Sequence, residues 1–141
     1  MPAVYEHHHV VRPDEMDLMG HVNNLAYLRW LQDAAVAHST AQGWPMSRYR
    51  DIDLGWVVRS HFIEYKQAAF ADQAIVVRTW IADMRRMTSL RRYEIHRPAD
   101  NALLARAETN WAFVRMSDLK LQRVPAEVIE SFVLVPDSPS A

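Results

Sequence analysis

The sequence predicts an α+β domain in which one long helix packs on an antiparallel sheet. Three observations carry that prediction. Between residues 24 and 42, apolar side chains recur at steps of three and four, the period of a helix with one buried face. One stretch before it and four after it have strand length and β-branched or aromatic content. Those four follow one another directly, whereas parallel neighbours need a crossover of a dozen or more residues. One helix against one sheet is the α+β arrangement.

Val4, Glu6, His8 and Val10 alternate with Tyr5, His7, His9 and Val11, so Val4 to Val11 reads as a strand. Pro13 lacks a ladder N–H and suits the end of that strand rather than its middle. The long helix runs from Asn24 to Gln42, with Leu25, Leu28, Leu31, Ala35 and His38 near one face and Tyr27, Trp30 and Ala34 widening it. Asn23 or Asn24 can cap its start by accepting an unpaired backbone N–H. Gly43 and Pro45 mark its stop. Strands are expected at Leu54 to Tyr65, Ala74 to Ala82, Thr88 to His96 and Leu103 to Met116. Pro98-Ala99-Asp100-Asn101 is a turn, and Asp118-Leu119-Lys120 is a weaker turn signal because it lacks glycine. Pro125 to Phe132 fits one short helix with proline in its first turn.

Length and composition bound the rest. A chain of 141 residues holds one ordinary domain, read here as residues 1–135 with a loose tail over 136–141. Half the residues are hydrophobic, which suits a globular core. With no cysteine, the chain has neither disulfides nor thiol chemistry, which suits a reducing compartment, and a cytoplasmic location is expected. Met1 to Val11 has the composition of no secretory leader, and no apolar run nears the roughly 20 residues that span a bilayer, so no membrane partner is expected. A formal net charge of −1 gives no footprint for nucleic acid.

The chemistry concentrates in Asp17-Leu18-Met19-Gly20-His21-Val22-Asn23-Asn24, between the first strand and the long helix. Gly20 permits a tight turn and close backbone approach. The helix start offers unpaired N–H groups and a positive dipole end, which can hold an oxyanion. Asp17 puts a carboxylate near the same point. A carboxylate beside oxyanion donors can perform acyl transfer, either by attacking the acyl carbon or by taking a proton from water. The plainer alternative is that Asp17 only caps a turn.

The stretch Val11-Arg12 … Asp17-Leu18-Met19-Gly20-His21-Val22-Asn23-Asn24-Leu25-Ala26-Tyr27-Leu28-Arg29-Trp30-Leu31 resembles the signature of the 4-hydroxybenzoyl-CoA thioesterase family of hotdog proteins. It is also similar to the His-Val-Asn-Asn-x-x-Tyr segment of acyl-ACP thioesterases. Ile63-Glu64-Tyr65 with Ala68-Ala69, and Ala107 through Trp111-Ala112-Phe113-Val114 with Arg123-Val124-Pro125, resemble later strands of the family. The resemblance runs from about residue 4 to 132. It implies a hotdog fold, a long central helix wrapped by a curved antiparallel sheet. It also implies homodimers, often tetramers, with active sites between two protomers. It places the reacting acid on Asp17 and the oxyanion donors near Gly20, His21 and Val22, with Asn23, Asn24 and Tyr27 opening the helix beside them. Plant-type acyl-ACP thioesterases carry an Asn where Met19 stands, so their Asn-assisted mechanism is not carried over. Some members place the acid on the helix instead, where Asp33 is the acidic candidate.

Other residues carry two readings each. His21 can orient the thioester or simply fix the loop. Glu64 and Tyr65 are candidates for the neighbouring active site, against the plainer reading in which Tyr65 packs in the sheet and Glu64 faces solvent. Arg85, Arg86, Arg91 and Arg92 flank an expected hairpin and can contact CoA phosphates or an acidic carrier protein, or form a solvated turn. On a strand only His7 and His9 share a face, and two ligands are too few for a tight metal site. Met84 and Met87 suit a flexible acyl pocket or ordinary gap filling. The function expected is hydrolysis of acyl-CoA or acyl-ACP to a free acid and a thiol, without metal or redox cofactor. The alternatives are a hotdog protein that binds acyl thioesters without hydrolysing them, and a dehydratase on the same fold.

Overall fold

The computed structural model describes residues 3–137. Five strands form one antiparallel sheet in the order β1-β3-β4-β5-β2, where β1 is Tyr5–Val10, β2 Leu54–Tyr65, β3 Ala74–Met84, β4 Thr88–Arg97 and β5 Ala102–Arg115. Helix α1, Asn24–Ala41, follows β1 and lies on the concave face. Register shifts occur at Val58/Ser60, Ile81/Asp83 and Ile95/His96. Each extra residue bends its strand and strengthens the local twist, which curls the sheet around the helix. The main core fills the space between them, from Trp30, Leu31 and Ala34 on α1 to Ile75, Val77, Tyr93, Ile95 and Leu104 on the sheet.

The helix face differs from the one expected. Ala26, Tyr27, Trp30, Leu31, Ala34, Ala35 and His38 are buried, while Leu25 is 71% exposed. The stripe is rotated toward the aromatic residues because Tyr27 and Trp30 bury more area than the leucines and small Ala34 lets the helix approach the sheet closely. Asn23 makes the cap, its Oδ1 accepting from the Leu25 N–H at 2.8 Å.

A second, smaller core collects Trp44, Tyr49, Ile81, Phe113, Val124, Val128 and Phe132. It lies under α2, Met46–Asp51, and α3, Ala126–Glu130. Helix α2 is not apparent in the sequence, since six residues give too little periodicity to read. The C-terminal segment does not leave the domain at Val135. Leu134 pairs in parallel with Ile81, and Arg92 donates to the Pro136 carbonyl at 2.8 Å. Residues 138–141 of the expected tail lie outside the described residues. No described helix is long and apolar enough to cross a membrane.

Candidate active site

The segment from Asp17 to Asn23 is a closed loop. Met16 and Val22 form an antiparallel bridge, the Asp17 N–H donates to the His21 carbonyl at 2.7 Å, and the Asn23 N–H donates to the Glu15 carbonyl at 2.7 Å. Gly20 turns the chain at φ +79°, where any other residue is strained. At its base sits Glu15, which is only 5% exposed. Its carboxylate accepts from the Arg12 N–H at 2.8 Å and the Trp30 indole N–H at 2.7 Å, and meets His9 Nε2 at 2.7 Å. Burial alone would raise this carboxyl, but the hydrogen bonds from Arg12, His9 and Trp30 outweigh it and hold it below its ordinary value. Glu15 therefore ties the loop to β1 and α1 together. Nothing in the sequence singled it out. Its signal was an acidic residue two positions before Asp17, next to a proline turn.

Asp17 is exposed, and its Oδ1 accepts from the Met19 N–H at 2.8 Å and the His21 N–H at 3.1 Å. Its Oδ2 makes no hydrogen bond among the described residues. Asp17 thus does the turn-forming work of the plainer reading and still presents one unengaged carboxylate oxygen. Of the expected oxyanion donors, the Gly20 N–H is directed to the Asp17 carbonyl at 3.2 Å and the His21 N–H to Asp17 itself. The Val22 and Asn24 N–H groups have no hydrogen-bond partner among the described residues. They lie at the positive end of α1, whose first turn carries no acidic residue to neutralise it.

The other candidates divide. The Tyr27 ring meets the Tyr65 ring edge-on at 5.0 Å, and the His21 ring lies 6.5 Å from Phe70. Burial pushes the Tyr27 hydroxyl up. Tyr65 thus joins the helix side of the sheet near the loop. Glu64 faces the other way, pairing with Lys66 at 2.8 Å. Asp33 is exposed on α1, and its charge acts on His7 of β1. His9 is committed to Glu15, and among the described residues no three His, Asp or Glu side chains gather as metal ligands.

The four arginines do not form one cluster. Arg85 and Arg86 are exposed beyond β3, with Arg85 near Asp83 at 3.5 Å. Arg92 points to the outer face and holds Glu108 at 3.1 Å. Arg91 is a correction to the expectation of a surface contact: it is 5% exposed and points toward α1. Adjacent residues of a strand project to opposite faces, so Arg91 and Arg92 cannot serve one phosphate. Met84 lines a cavity beside α1, together with Arg91.

Comparison with known proteins agrees with this architecture. A candidate esterase of Aquifex aeolicus (strain VF5) is 28% identical over 130 residues, covering 92% of this chain and 97% of its own. A variant of 4-hydroxybenzoyl-CoA thioesterase solved with 4-hydroxybenzoyl-CoA superposes at a TM-score of 0.86 with 23% identity, covering 94% of this chain and 100% of its own. A 1,4-dihydroxy-2-naphthoyl-CoA thioesterase of Synechocystis superposes at 0.84 with 17% identity, covering 91% of this chain and 94% of its own. The model of the thioesterase-like superfamily matches residues 11–132, and with that span and this sheet-wrapped helix the chain belongs to the thioesterase-like superfamily and has its hotdog fold.

Proposed function

We propose that this protein hydrolyses acyl thioesters of CoA or acyl carrier protein, with Asp17 as nucleophile or general base and a homodimer as the working unit. The observation that carries the proposal is the single unengaged oxygen of Asp17, held on a closed loop beside the free N–H groups that open α1. If Oδ2 attacks, the acyl carbon gains a C–O bond, the C–S bond breaks, and the thiolate leaves with a proton from water. The hydroxide left from that water then opens the anhydride, releasing the free acid and returning the carboxylate. If Asp17 acts as base, it takes one proton from the attacking water and passes it to the leaving thiolate. In either route the carbonyl oxygen becomes negative, and the Val22 and Asn24 N–H groups with the helix dipole are the available stabilisers. The superposed thioesterases act on aromatic acyl-CoA esters, which supports the same bond in the substrate here.

The test is thiol release from a panel of short, long and aromatic acyl-CoA and acyl-ACP substrates. Release from at least one class is expected. Tight binding with no release from any of them would replace hydrolysis by sequestration.

A further inference from the structure

A cavity of about 110 Å³ lies between the C-terminal half of α1 and the sheet, at the seam of the two cores. Its walls are largely apolar, with Val36, Met46, Trp56, Met84, Trp111 and Phe132 among them. It opens past Gln32 and Met46, both exposed. Three of its polar side chains are engaged by protein partners: the Ser39 hydroxyl donates to the Trp44 carbonyl, the Ser89 hydroxyl donates to the Asp83 carbonyl, and the Tyr49 oxygen accepts from the Trp56 indole N–H.

Arg91 is different. It is 95% buried by the 5% exposure that remains, and it forms no ion pair with any described carboxylate. One nitrogen, Nη1, donates to His38 Nδ1 and to Thr79 Oγ1, each at 3.0 Å. Its Nε and Nη2 make no hydrogen bond among the described residues. Those two nitrogens form the side-on fork of a guanidinium, the edge that matches both oxygens of one carboxylate. The surroundings do not supply the missing charge. His38 is a neutral acceptor, held to a pKa of about 3 by burial and by Arg91 itself. A buried, unneutralised cation is costly, and a well-packed apolar residue would avoid that cost. An apolar cavity with a single unneutralised cation in its wall matches an acid with an apolar body and a charged end.

We propose that this cavity is the acyl subsite and that Arg91 selects acyl groups ending in a carboxylate. The inference rests on the proposed thioester hydrolysis and names its substrate class, an ω-carboxyacyl thioester. The cavity is smaller than the ~150 Å³ that holds one benzene ring, so it takes a short chain. Helix α1 rises about 22 Å between Asn24 and Ser39. The thioester end of a diacid held at Arg91 must therefore meet the Asp17 loop of a second copy, brought to this end of α1 across a two-fold axis.

Matched pairs test this: glutaryl-CoA against pentanoyl-CoA, and adipyl-CoA against hexanoyl-CoA. The wild-type protein should favour the carboxylated member at least tenfold in kcat/KM, since a site built around a buried polar group discriminates strongly against analogues that leave it unpaired. In R91M that ratio should fall at least tenfold, with the dimer and Tm checked alongside. Calorimetry with free glutarate and butyrate reads the same preference in the wild-type protein without turnover or any variant. Thiol release with no preference for the carboxylated member, unchanged in R91M, overturns the subsite and leaves the hydrolysis standing. Glutarate binding that depends on Arg91 without thiol release from any ester leaves the subsite and overturns the hydrolysis. The absence of both glutarate binding and carboxylate preference overturns the subsite outright.

Discussion

Asp17 and Glu15 stand two residues apart and do opposite work. Asp17 is exposed and half engaged, whereas Glu15 is buried and fully engaged, tying β1, the loop and α1 to one point. Glu15→Ala leaves the Trp30 and Arg12 donors unsatisfied in a buried place and should cost about 3 kcal/mol of stability in urea unfolding. Two groups also contribute to the acid limb of stability. His38 is neutral in the folded chain, with a pKa of about 3 against 6.5 when exposed. The unfolded chain therefore binds the extra proton between those values, and its share of stability is full above pH 6.5 and falls as pH drops toward 3. Glu15 lies below its ordinary 4.5, so its share is present above that pH and is lost further down the acid side. Unfolding free energies from pH 8 to 3 should decline, and His38→Gln should flatten the first part of the decline. Of these residues Asp17 was legible, because a carboxylate before a glycine turn and a helix start is a local pattern. Glu15, His38 and Arg91 were not. The link from Glu15 to Trp30 spans 15 positions and that from Arg91 to His38 spans 53, which spacing along the chain does not show.

Elements were legible where period and length were both favourable. The strand from Leu54 to Tyr65 lies at its expected bounds, and α1 ends one residue before the expected Gln42. The face of α1 was harder, because counting apolar residues weights Leu25 equally with Trp30, and only packing decides between them. The turn after β5 shows the same limit from the other side. It lacks glycine, and Leu119 accordingly takes φ +59° with its side chain 62% exposed. An L side chain in that region costs roughly 1–2 kcal/mol, less the entropy that glycine adds to the unfolded chain. Leu119→Gly should therefore raise the midpoint of thermal unfolding, by an amount equivalent to about 0.5–1 kcal/mol, and a lowered midpoint would show that the Leu119 side chain packs usefully.

For the whole molecule, the sheet leaves β2 as an edge, with Phe62 63% and Tyr65 46% exposed beside polar Arg59, Ser60 and His61. A long edge with exposed aromatics is a surface that pairs or must be protected. Sedimentation should return about twice the 16.4 kDa chain mass or a multiple of it, and a 16.4 kDa particle would remove the shared site on which the acyl reading depends. The hotdog arrangement was legible because the loop motif and the order of strands agreed with each other. The acyl subsite was not, since it is assembled from α1, α2, four strands and the segment after α3. The central claim is that the Asp17 carboxylate breaks the thioester, and Asp17→Asn isolates it. The amide oxygen can still accept from the Met19 and His21 N–H groups, so the loop keeps its shape while the charge is lost. On the best acyl thioester of the panel, thiol release by Asp17→Asn should fall by orders of magnitude while the protein stays folded and assembled. Near-normal release by that variant would contradict it.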